Sequence, residues 1–310
     1  MTKLWEDTVV TALRDIQWIH ALGRNLPSVI PSGFIKLDGN AESAIGDVLY
    51  SANDRYYIIE VKSSIDDICT EWGGDSAESK PKVVYQSLAE RWHDLQDAVE
   101  VTESSADPYR DGSAEKMMAR VPFFQRSAAC HMLSYWDKWK INGKEFGDVV
   151  VTPYLSGCLR MIDPIKHGGR QYIDRHFDAD FLLGREIDGE LSVAEVASLH
   201  VLFESGAGVY CVNSNGGENV SWNKPLGLGI KAFQKYVDEL VDQAGSDAPE
   251  MHGIVMSRSG NVFKLFSSLS ELKHALVPGS GINSLKSSAQ KVRSFSKGRS
   301  VLFGSKRSKP

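Results

Sequence analysis

The order of the predicted elements at the start of the chain restricts the fold more than any other feature of the sequence. Apolar residues recur at spacings of three and four over residues 4–22, which predicts an amphipathic helix that ends at Gly23. Three short segments with strand-like patterns follow, at 33–37, 46–51 and 56–62. One helix followed by three strands differs from the βαβ alternation of a dinucleotide-binding fold, so we expect another kind of α/β protein.

The pattern then becomes polar before regular elements return. Residues 64–120 are polar and acidic, and they predict an insertion on the main scaffold that contains one helix at 83–99. A helix at about 123–140 and a strand at 146–152 are predicted after this insertion. Together these elements predict a first unit over residues 1–155.

The remainder of the chain divides into an extension and a tail. We expect residues 156–278 to form an α/β extension and residues 279–310, which are rich in Ser, Lys and Arg, to be disordered. The elements predicted in the extension are helices at 191–203, 228–241 and 268–276, a strand at 208–213, and a hairpin of 253–256 with 261–266.

Composition excludes several classes of protein. Hydrophobic residues make up 42% and charged residues 24%, which is globular composition, and no apolar run reaches the length of a membrane-spanning helix. The first residues lack the basic-then-apolar order of a secretory signal. The four cysteines are scattered without a CxxC pair, which disfavours a disulfide framework and a thiolate zinc site. We therefore expect a cytoplasmic protein that has no membrane partner.

Charge is divided unevenly along the chain. Residues 286–310 contain eight Lys and Arg and no Asp or Glu, so they carry +8. The other residues hold 27 basic and 40 acidic side chains, or −13, and the sum is −5. A cationic segment of this kind binds phosphate backbones by releasing counterions. Two other roles stay open: it could aid solubility, or it could pack against the acidic body and keep it inactive.

The residues that carry chemistry lie on the second and third predicted strands. Side chains alternate along a strand, so Glu60 and Lys62 project from one face and Val61 from the other. If the two strands pair as a hairpin, Asp47 lies opposite Glu60 to Lys62. Two carboxylates on one small patch suit Mg²⁺, and a nearby lysine can orient a metal-bound water and stabilise charge on phosphorus. These groups together suit the hydrolysis of a phosphodiester.

The same residues have a plainer interpretation. An Asp and a Glu-x-Lys at strand ends can be exposed cross-strand ion pairs, each of which stabilises the fold little. The strand that carries Glu60 is strongly apolar, with Tyr56-Tyr57-Ile58-Ile59 before it. This context favours charges that face a cleft.

The arrangement resembles the PD-(D/E)xK nuclease superfamily. The resemblance rests on Gly46-Asp47, on Glu60-Val61-Lys62 and on the order helix, three strands, helix, strand, and it covers residues 4–155. It implies a restriction-endonuclease-like core in which Asp47 and Glu60 bind Mg²⁺ or Mn²⁺. It also implies that the Val61 carbonyl is a further ligand and that Lys62 organises the nucleophilic water. Gly46 stands where the family pattern has proline.

The resemblance also suggests two residues outside these strands. Family members often carry a carboxylate on the first helix; Glu6 is the matching position, and Asp7 is its rival. Some relatives have a glutamine on the helix after the Glu-x-Lys strand, and Gln125 is carried over as a phosphate or ligand contact. A solvated helix residue is the alternative interpretation of Gln125. His131, on the same predicted helix, is interpreted as a packed core residue.

We therefore expect a Mg²⁺- or Mn²⁺-dependent endonuclease that hydrolyses DNA, with a setting in restriction or anti-phage defence suggested by analogy alone. RNA stays open as a substrate, and so do a homo-oligomer and a partner defence protein. Two alternatives accompany this expectation. One is a non-catalytic module that binds nucleic acid or protein on a nuclease scaffold, and the other is an RNA-cleaving toxin.

Overall fold

The structure of the chain is a computed structural model. The residues that it describes are 5–23, 34–37, 46–52, 55–72, 82–107, 109–110, 112–160, 179–213, 220–241, 253–256 and 263–266. Within these ranges the chain is a mixed α/β protein with helices packed against sheets. The helix predicted at 268–276 and the basic tail lie outside the described residues.

A six-stranded sheet forms the centre of the described structure. Its strands are β1 (Phe34–Lys36), β2 (Val48–Ala52), β3 (Arg55–Lys62), β4 (His131–Ile141), β5 (Lys144–Pro153) and β8 (Ala197–Ser198). They lie in the order β1-β2-β3-β4-β5-β8. The predicted hairpin is confirmed, because β2 pairs antiparallel with β3.

Helices flank this sheet and connect its strands. They are α1 (Glu6–Gly23), a 3-10 helix (Ile65–Trp72), α2 (Val83–Ser104), α3 (Ser113–Cys130) and α4 (Tyr154–Arg160). β3 and β4 run parallel, and parallel neighbours need a crossover connection instead of a tight turn. The segment predicted to be an insertion contains the 3-10 helix, α2 and the start of α3, so it supplies part of this crossover.

The first helix forms where the sequence predicts it, but its buried face is narrower than the apolar pattern suggests. Val9 and Leu13 are buried against the sheet, and the Gln17 amide donates a hydrogen bond to the Ser51 carbonyl at 2.7 Å. The outer members of the apolar pattern, Trp5 and Ile19, are 80% and 62% exposed.

The helix predicted at 123–140 is wrong in its position. The helix α3 ends at Cys130, and residues 131–141 form the strand β4 between β3 and β5. All residues from His131 to Tyr135 are buried, because this central strand is covered on both faces. A strand of this kind loses the apolar-polar alternation that would identify it, and its apolar residues then mimic helical spacing.

The extension forms a second sheet next to the first. Its strands are β6 (Ala179–Ile187), β7 (Glu190–Ala194), β9 (Gly208–Asn213) and β10 (Val220–Pro225), in the order β10-β9-β6-β7. The predicted strand at 208–213 is confirmed. The helix predicted at 191–203 is wrong, since this segment holds β7, β8 and a short 3-10 helix (Leu199–Phe203).

Two more predicted elements of the extension are confirmed. The helix α5 (Ile230–Val241) corresponds to the predicted helix at 228–241, and β11 (Gly253–Met256) pairs antiparallel with β12 (Phe263–Phe266). The extension packs on the first unit through α5, whose Glu239 accepts hydrogen bonds from Arg126 and, at its main-chain carbonyl, from Arg91. One continuous buried core joins residues of both parts.

Within the ranges that the structure describes, no helix is both long enough and apolar enough to cross a membrane. Two of the four cysteines, Cys130 and Cys211, are buried free thiols.

Candidate active site

The hairpin of β2 and β3 brings the predicted site residues together. Val48 is the partner of Ile59 in the antiparallel register, so Asp47 follows as the partner of Glu60 beyond the last residue of β2. The Asp47 carboxylate turns toward β3 and accepts a hydrogen bond from the Val61 backbone N–H at 2.5 Å. Asp47 is therefore oriented by the main chain of the strand that carries the other two groups.

Glu60 and Lys62 lie on one face of β3, as the alternation of a strand requires. The Lys62 ammonium donates to the Glu60 carboxylate, with 2.7 Å between Nζ and Oε1. Both side chains are buried, and Glu60 is fully so. The pair is thus a buried ion pair, which excludes the interpretation of Glu60 and Lys62 as an exposed cross-strand pair.

Two further charged residues join the cluster, and both come from the segment predicted to be an insertion. Glu71 lies on the 3-10 helix, where its Oε1 is 2.6 Å from Lys62 Nζ. Lys82 lies directly before α2; its Nζ contacts Glu60 Oε1 and is 3.5 Å from Glu71 Oε1 and 3.8 Å from Asp47 Oδ1. We call Asp47, Glu60, Lys62, Glu71 and Lys82 the charged cluster.

The tyrosine Tyr154 closes one side of the charged cluster. Its hydroxyl donates a hydrogen bond to Glu71 Oε2 at 2.7 Å, and its ring stacks on the His131 imidazole with 4.4 Å between centroids. His131 Nδ1 is 2.9 Å from the Tyr236 hydroxyl. Burial lowers the pKa of His131 to about 3, so this ring is a neutral core residue. The carboxylates of the charged cluster are therefore supported by a packed aromatic wall.

Burial dominates the electrostatics of the two glutamates. Loss of solvent raises the pKa of Glu60 above its usual range; Asp47 adds to this effect, and the two lysines oppose it. Loss of solvent also raises the pKa of Glu71, and the nearby Glu60 carboxylate adds to that rise. The pKa of each carboxyl thus depends on the charge of its neighbours, and the two titrate as a coupled pair.

Burial acts on the pKa values of the two lysines in the opposite direction, because their charged form is the protonated one. Burial alone would lower the pKa of Lys62, but the Glu60 and Glu71 carboxylates outweigh burial and raise that pKa. The same balance raises the pKa of Lys82. Both side chains are therefore ammonium ions at neutral pH, and the charged cluster carries a formal charge of −1 when all three of its carboxyls are ionised.

Burying five ionisable groups in one place is costly, since the desolvation of each ion must be offset by its partners. Such clusters of perturbed pKa values are enriched at functional sites, although structural ion-pair networks produce them too. The charged cluster is therefore the best candidate for an active site among the described residues.

The oxygen atoms of the charged cluster suit a hard divalent cation. Glu60 Oε2 is buried and, among the described residues, has no hydrogen-bond partner. This orphaned oxygen and the Asp47 carboxylate are the type of ligand that Mg²⁺ takes from proteins. The described residues contain no ready-made group of three or more His, Cys, Asp or Glu arranged around a metal position. Instead, the ammonium groups of the two lysines lie among the carboxylates.

Gly46 is required by the backbone next to Asp47. Its φ of 137° lies where only glycine is comfortable, and a Cβ added there would lie 2.8 Å from Ile58 Cγ2 and 3.6 Å from Glu60 Oε2. Proline holds φ near about −65°, so it cannot replace Gly46 in this conformation. The backbone at this position therefore excludes proline.

The remaining predicted site residues lie apart from the charged cluster. Glu6 is exposed in the first turn of α1, and its rival Asp7 forms an exposed ion pair with Lys36 at 2.6 Å. Gln125 is half-buried on α3. Among the described contacts, none joins Glu6 or Gln125 to the charged cluster, and their roles stay predictions. Val61 enters the site through its N–H, and the role of its carbonyl stays a prediction as well.

Comparisons of the chain with protein-family models, with curated proteins and with solved structures find no match.

Proposed function

We propose that this chain is a metal-dependent endonuclease that hydrolyses DNA phosphodiester bonds with the chemistry of the PD-(D/E)xK superfamily. The observation that carries the proposal is the meeting of Asp47, Glu60 and Lys62 at one end of the β2-β3 hairpin. Two observations support it: a glycine beside Asp47 in a conformation that other residues rarely adopt, and a buried oxygen of Glu60 that has no hydrogen-bond partner among the described residues. The order of helix, three strands, a crossover of several helices, and strand supports a restriction-endonuclease-like core.

Each group of the site has a role that follows from its position. Asp47 and Glu60 would hold Mg²⁺ or Mn²⁺, which when bound supplies a water of lowered pKa and polarises the phosphoryl oxygen. Lys62 is an ammonium at neutral pH because its carboxylate neighbours raise its pKa. It therefore acts as a hydrogen-bond donor that positions the attacking water and stabilises negative charge on phosphate, and it does not act as a base.

The surroundings of the site fit this role. Glu71 contacts the Lys62 ammonium as Glu60 does, so two carboxylates hold this ammonium in place. Tyr154 in turn fixes Glu71. We propose that these two are positioning residues. A setting in cytoplasmic defence against foreign DNA belongs to the proposal by analogy with the superfamily.

The test uses three variants that remove one chemical property each. They are Asp47→Asn, Glu60→Gln and Lys62→Met, and each is expected to lower Mg²⁺-dependent nicking of supercoiled plasmid DNA by at least about 100-fold, the typical loss for a catalytic electrostatic group. Lys138→Met is the matched control, since Lys138 is an exposed lysine paired with Glu145 at 3.2 Å. Circular dichroism checks that every variant keeps its fold. Full activity of the Glu60 and Lys62 variants would refute the mechanism.

One observation favours a second candidate, a non-catalytic nucleic-acid-binding module on the same scaffold. Lys62 and Lys82 already compensate two of the three carboxylate charges of the charged cluster without a metal. This module would bind DNA or RNA without cleaving it, and its affinity would be indifferent to Mg²⁺. Calorimetry with metal alone, followed by cleavage assays on both DNA and RNA, separates the two candidates and identifies the preferred nucleic acid.

A further inference from the structure

We propose that Lys82 occupies the cation position between the two metal ligands and that a divalent metal must displace it to bind. This inference rests on the proposed function, because it takes Asp47 and Glu60 as the metal ligands. It assigns to Lys82 a regulatory role that the sequence pattern does not suggest. In the metal-free protein the metal position would be blocked by the Lys82 side chain.

The contacts of Lys82 coincide with those expected of a bound metal. Its Nζ contacts Glu60 Oε1 and is 3.8 Å from Asp47 Oδ1, so one ammonium bridges the two strands of the hairpin. It is also 3.5 Å from Glu71 Oε1. Lys62 differs, because its described ion pairs are with Glu60 and Glu71 alone. Lys82 is therefore the lysine that would compete with a metal for Asp47 and Glu60.

Lys82 is also the lysine that can leave. Its side chain is 19% exposed, whereas that of Lys62 is 4% exposed. Its backbone is fixed, because the Lys82 N–H donates to the Glu71 carbonyl at 2.9 Å and its φ and ψ are extended at the start of α2. Only the flexible side chain has to rotate, and its ammonium can reach water while the backbone stays in place.

The charges of the cluster favour a state in which the metal replaces the Lys82 ammonium over a state in which it binds beside that ammonium. With both lysines in place, a divalent cation would change the formal charge from −1 to +1 and would lie next to the Lys82 ammonium. If the metal replaces that ammonium, the metal and Lys62 together offset three ionised carboxylates, and the formal charge is zero. Uncompensated charge is costly in a buried site, so the exchanged state is the favoured metal-bound state.

The experiment measures Mn²⁺ binding to the full chain by isothermal titration calorimetry. The variant Lys82→Met is expected to bind Mn²⁺ at least about tenfold more tightly than the wild type, because a like charge at this distance typically changes an ionic equilibrium by one or more powers of ten. Lys82→Arg keeps the charge and should bind like the wild type. Lys138→Met, at the exposed pair with Glu145, is the control for loss of a lysine as such. Asp47→Asn should weaken binding in both backgrounds.

Each outcome has a separate meaning. Equal Mn²⁺ affinity of wild type and Lys82→Met, with both weakened by Asp47→Asn, overturns the role of Lys82 and leaves the metal site intact. No Mn²⁺ binding by either protein overturns the metal site and this inference with it. Tighter binding by Lys82→Met but not by Lys82→Arg supports the exchange.

A second readout keeps the test valid if Lys82→Met is too unstable for calorimetry. Removal of the ammonium leaves carboxylates uncompensated, so Lys82→Gln should melt at a lower temperature than the wild type in metal-free buffer. Addition of Mn²⁺ should then raise its melting temperature by more than it raises that of the wild type, since at one ligand concentration a tighter-binding ligand stabilises the folded state more. An equal Mn²⁺-induced rise in both proteins contradicts the proposal.

Discussion

His131 offers a quantitative test of the packing behind the charged cluster. The imidazole is fully buried, stacks on Tyr154 and has its Nδ1 2.9 Å from the Tyr236 hydroxyl. Its Nε2 has no hydrogen-bond partner among the described residues. Loss of solvent disfavours the charged imidazolium, so burial lowers the pKa of His131 to about 3.

The pH dependence of the free energy of unfolding follows from the two pKa values of His131. The pKa of His131 is about 6.5 in the unfolded chain and about 3 in the folded protein. Between these values the unfolded state binds a proton that the folded state does not, so the free energy of unfolding falls as the pH falls. At pH 5 the difference of about 1.5 pH units from the unfolded pKa corresponds to about 2 kcal/mol of lost stability relative to pH 8.

Urea unfolding followed by tryptophan fluorescence at these two pH values measures the effect. His131→Leu removes the titrating group, so the wild type should lose about 2 kcal/mol more than this variant between pH 8 and pH 5, with an unchanged urea dependence. His93→Gln, at an exposed histidine on α2, serves as the control and should behave like the wild type. The same loss in His131→Leu and in the wild type would refute the reasoning, and so would an NMR titration of His131 near its unfolded pKa.

Two further predictions concern residues beside the charged cluster. Gly46→Ala should lower the free energy of unfolding by about 1–3 kcal/mol in chemical denaturation, because it forces a side chain into a positive-φ conformation and toward Ile58. Gly23→Ala is the control and should not lower it, because a Cβ at Gly23 meets no neighbouring atom of the described residues. Tyr154→Phe should lower the free energy of unfolding by about 1–3 kcal/mol, since it leaves Glu71 Oε2 without its hydrogen bond. Tyr109→Phe, at an exposed ring, is the control and should leave it unchanged. Equal stability of the two variants would contradict the role of Tyr154.

The part of the site that lies within one hairpin could be predicted from the sequence. Asp47, Glu60 and Lys62 are at most 15 residues apart, and antiparallel pairing with side-chain alternation leaves one arrangement that buries the apolar residues of both strands. Local rules of geometry were sufficient there. No long-range contact had to be known.

Glu71 and Lys82 were not predicted as site residues, because their positions depend on how the polar segment 64–120 packs against the sheet. One signal for Glu71 was present, since it follows Ile68 by three residues and both are buried on the same face of the 3-10 helix. A carboxylate on an apolar face of this kind is a candidate for a buried role. For Lys82 the sequence carries no comparable signal, because its contacts arise from the crossover between β3 and β4.

The strand β4 shows where periodicity misleads. Ala128, Met132, Tyr135 and Trp139 are spaced like one face of a helix, but the chain changes from helix to strand at His131. The strand conformation of residues 131–141 is stabilised by pairing with β3 on one side and with β5 on the other. Tertiary pairing of this kind overrides a local pattern, and a single sequence does not reveal it.

The two-residue strand β8 protects an edge of the main sheet. It covers β5 at Val150 and Val151, where the pairs are with Ser198 and Ala197. In a fragment that ended at residue 155 this stretch of β5 would present unpaired backbone groups beside buried valines, and a second molecule could add a strand there. The extension thus covers this edge of the six-stranded sheet, and we expect a fragment that lacks the extension to self-associate.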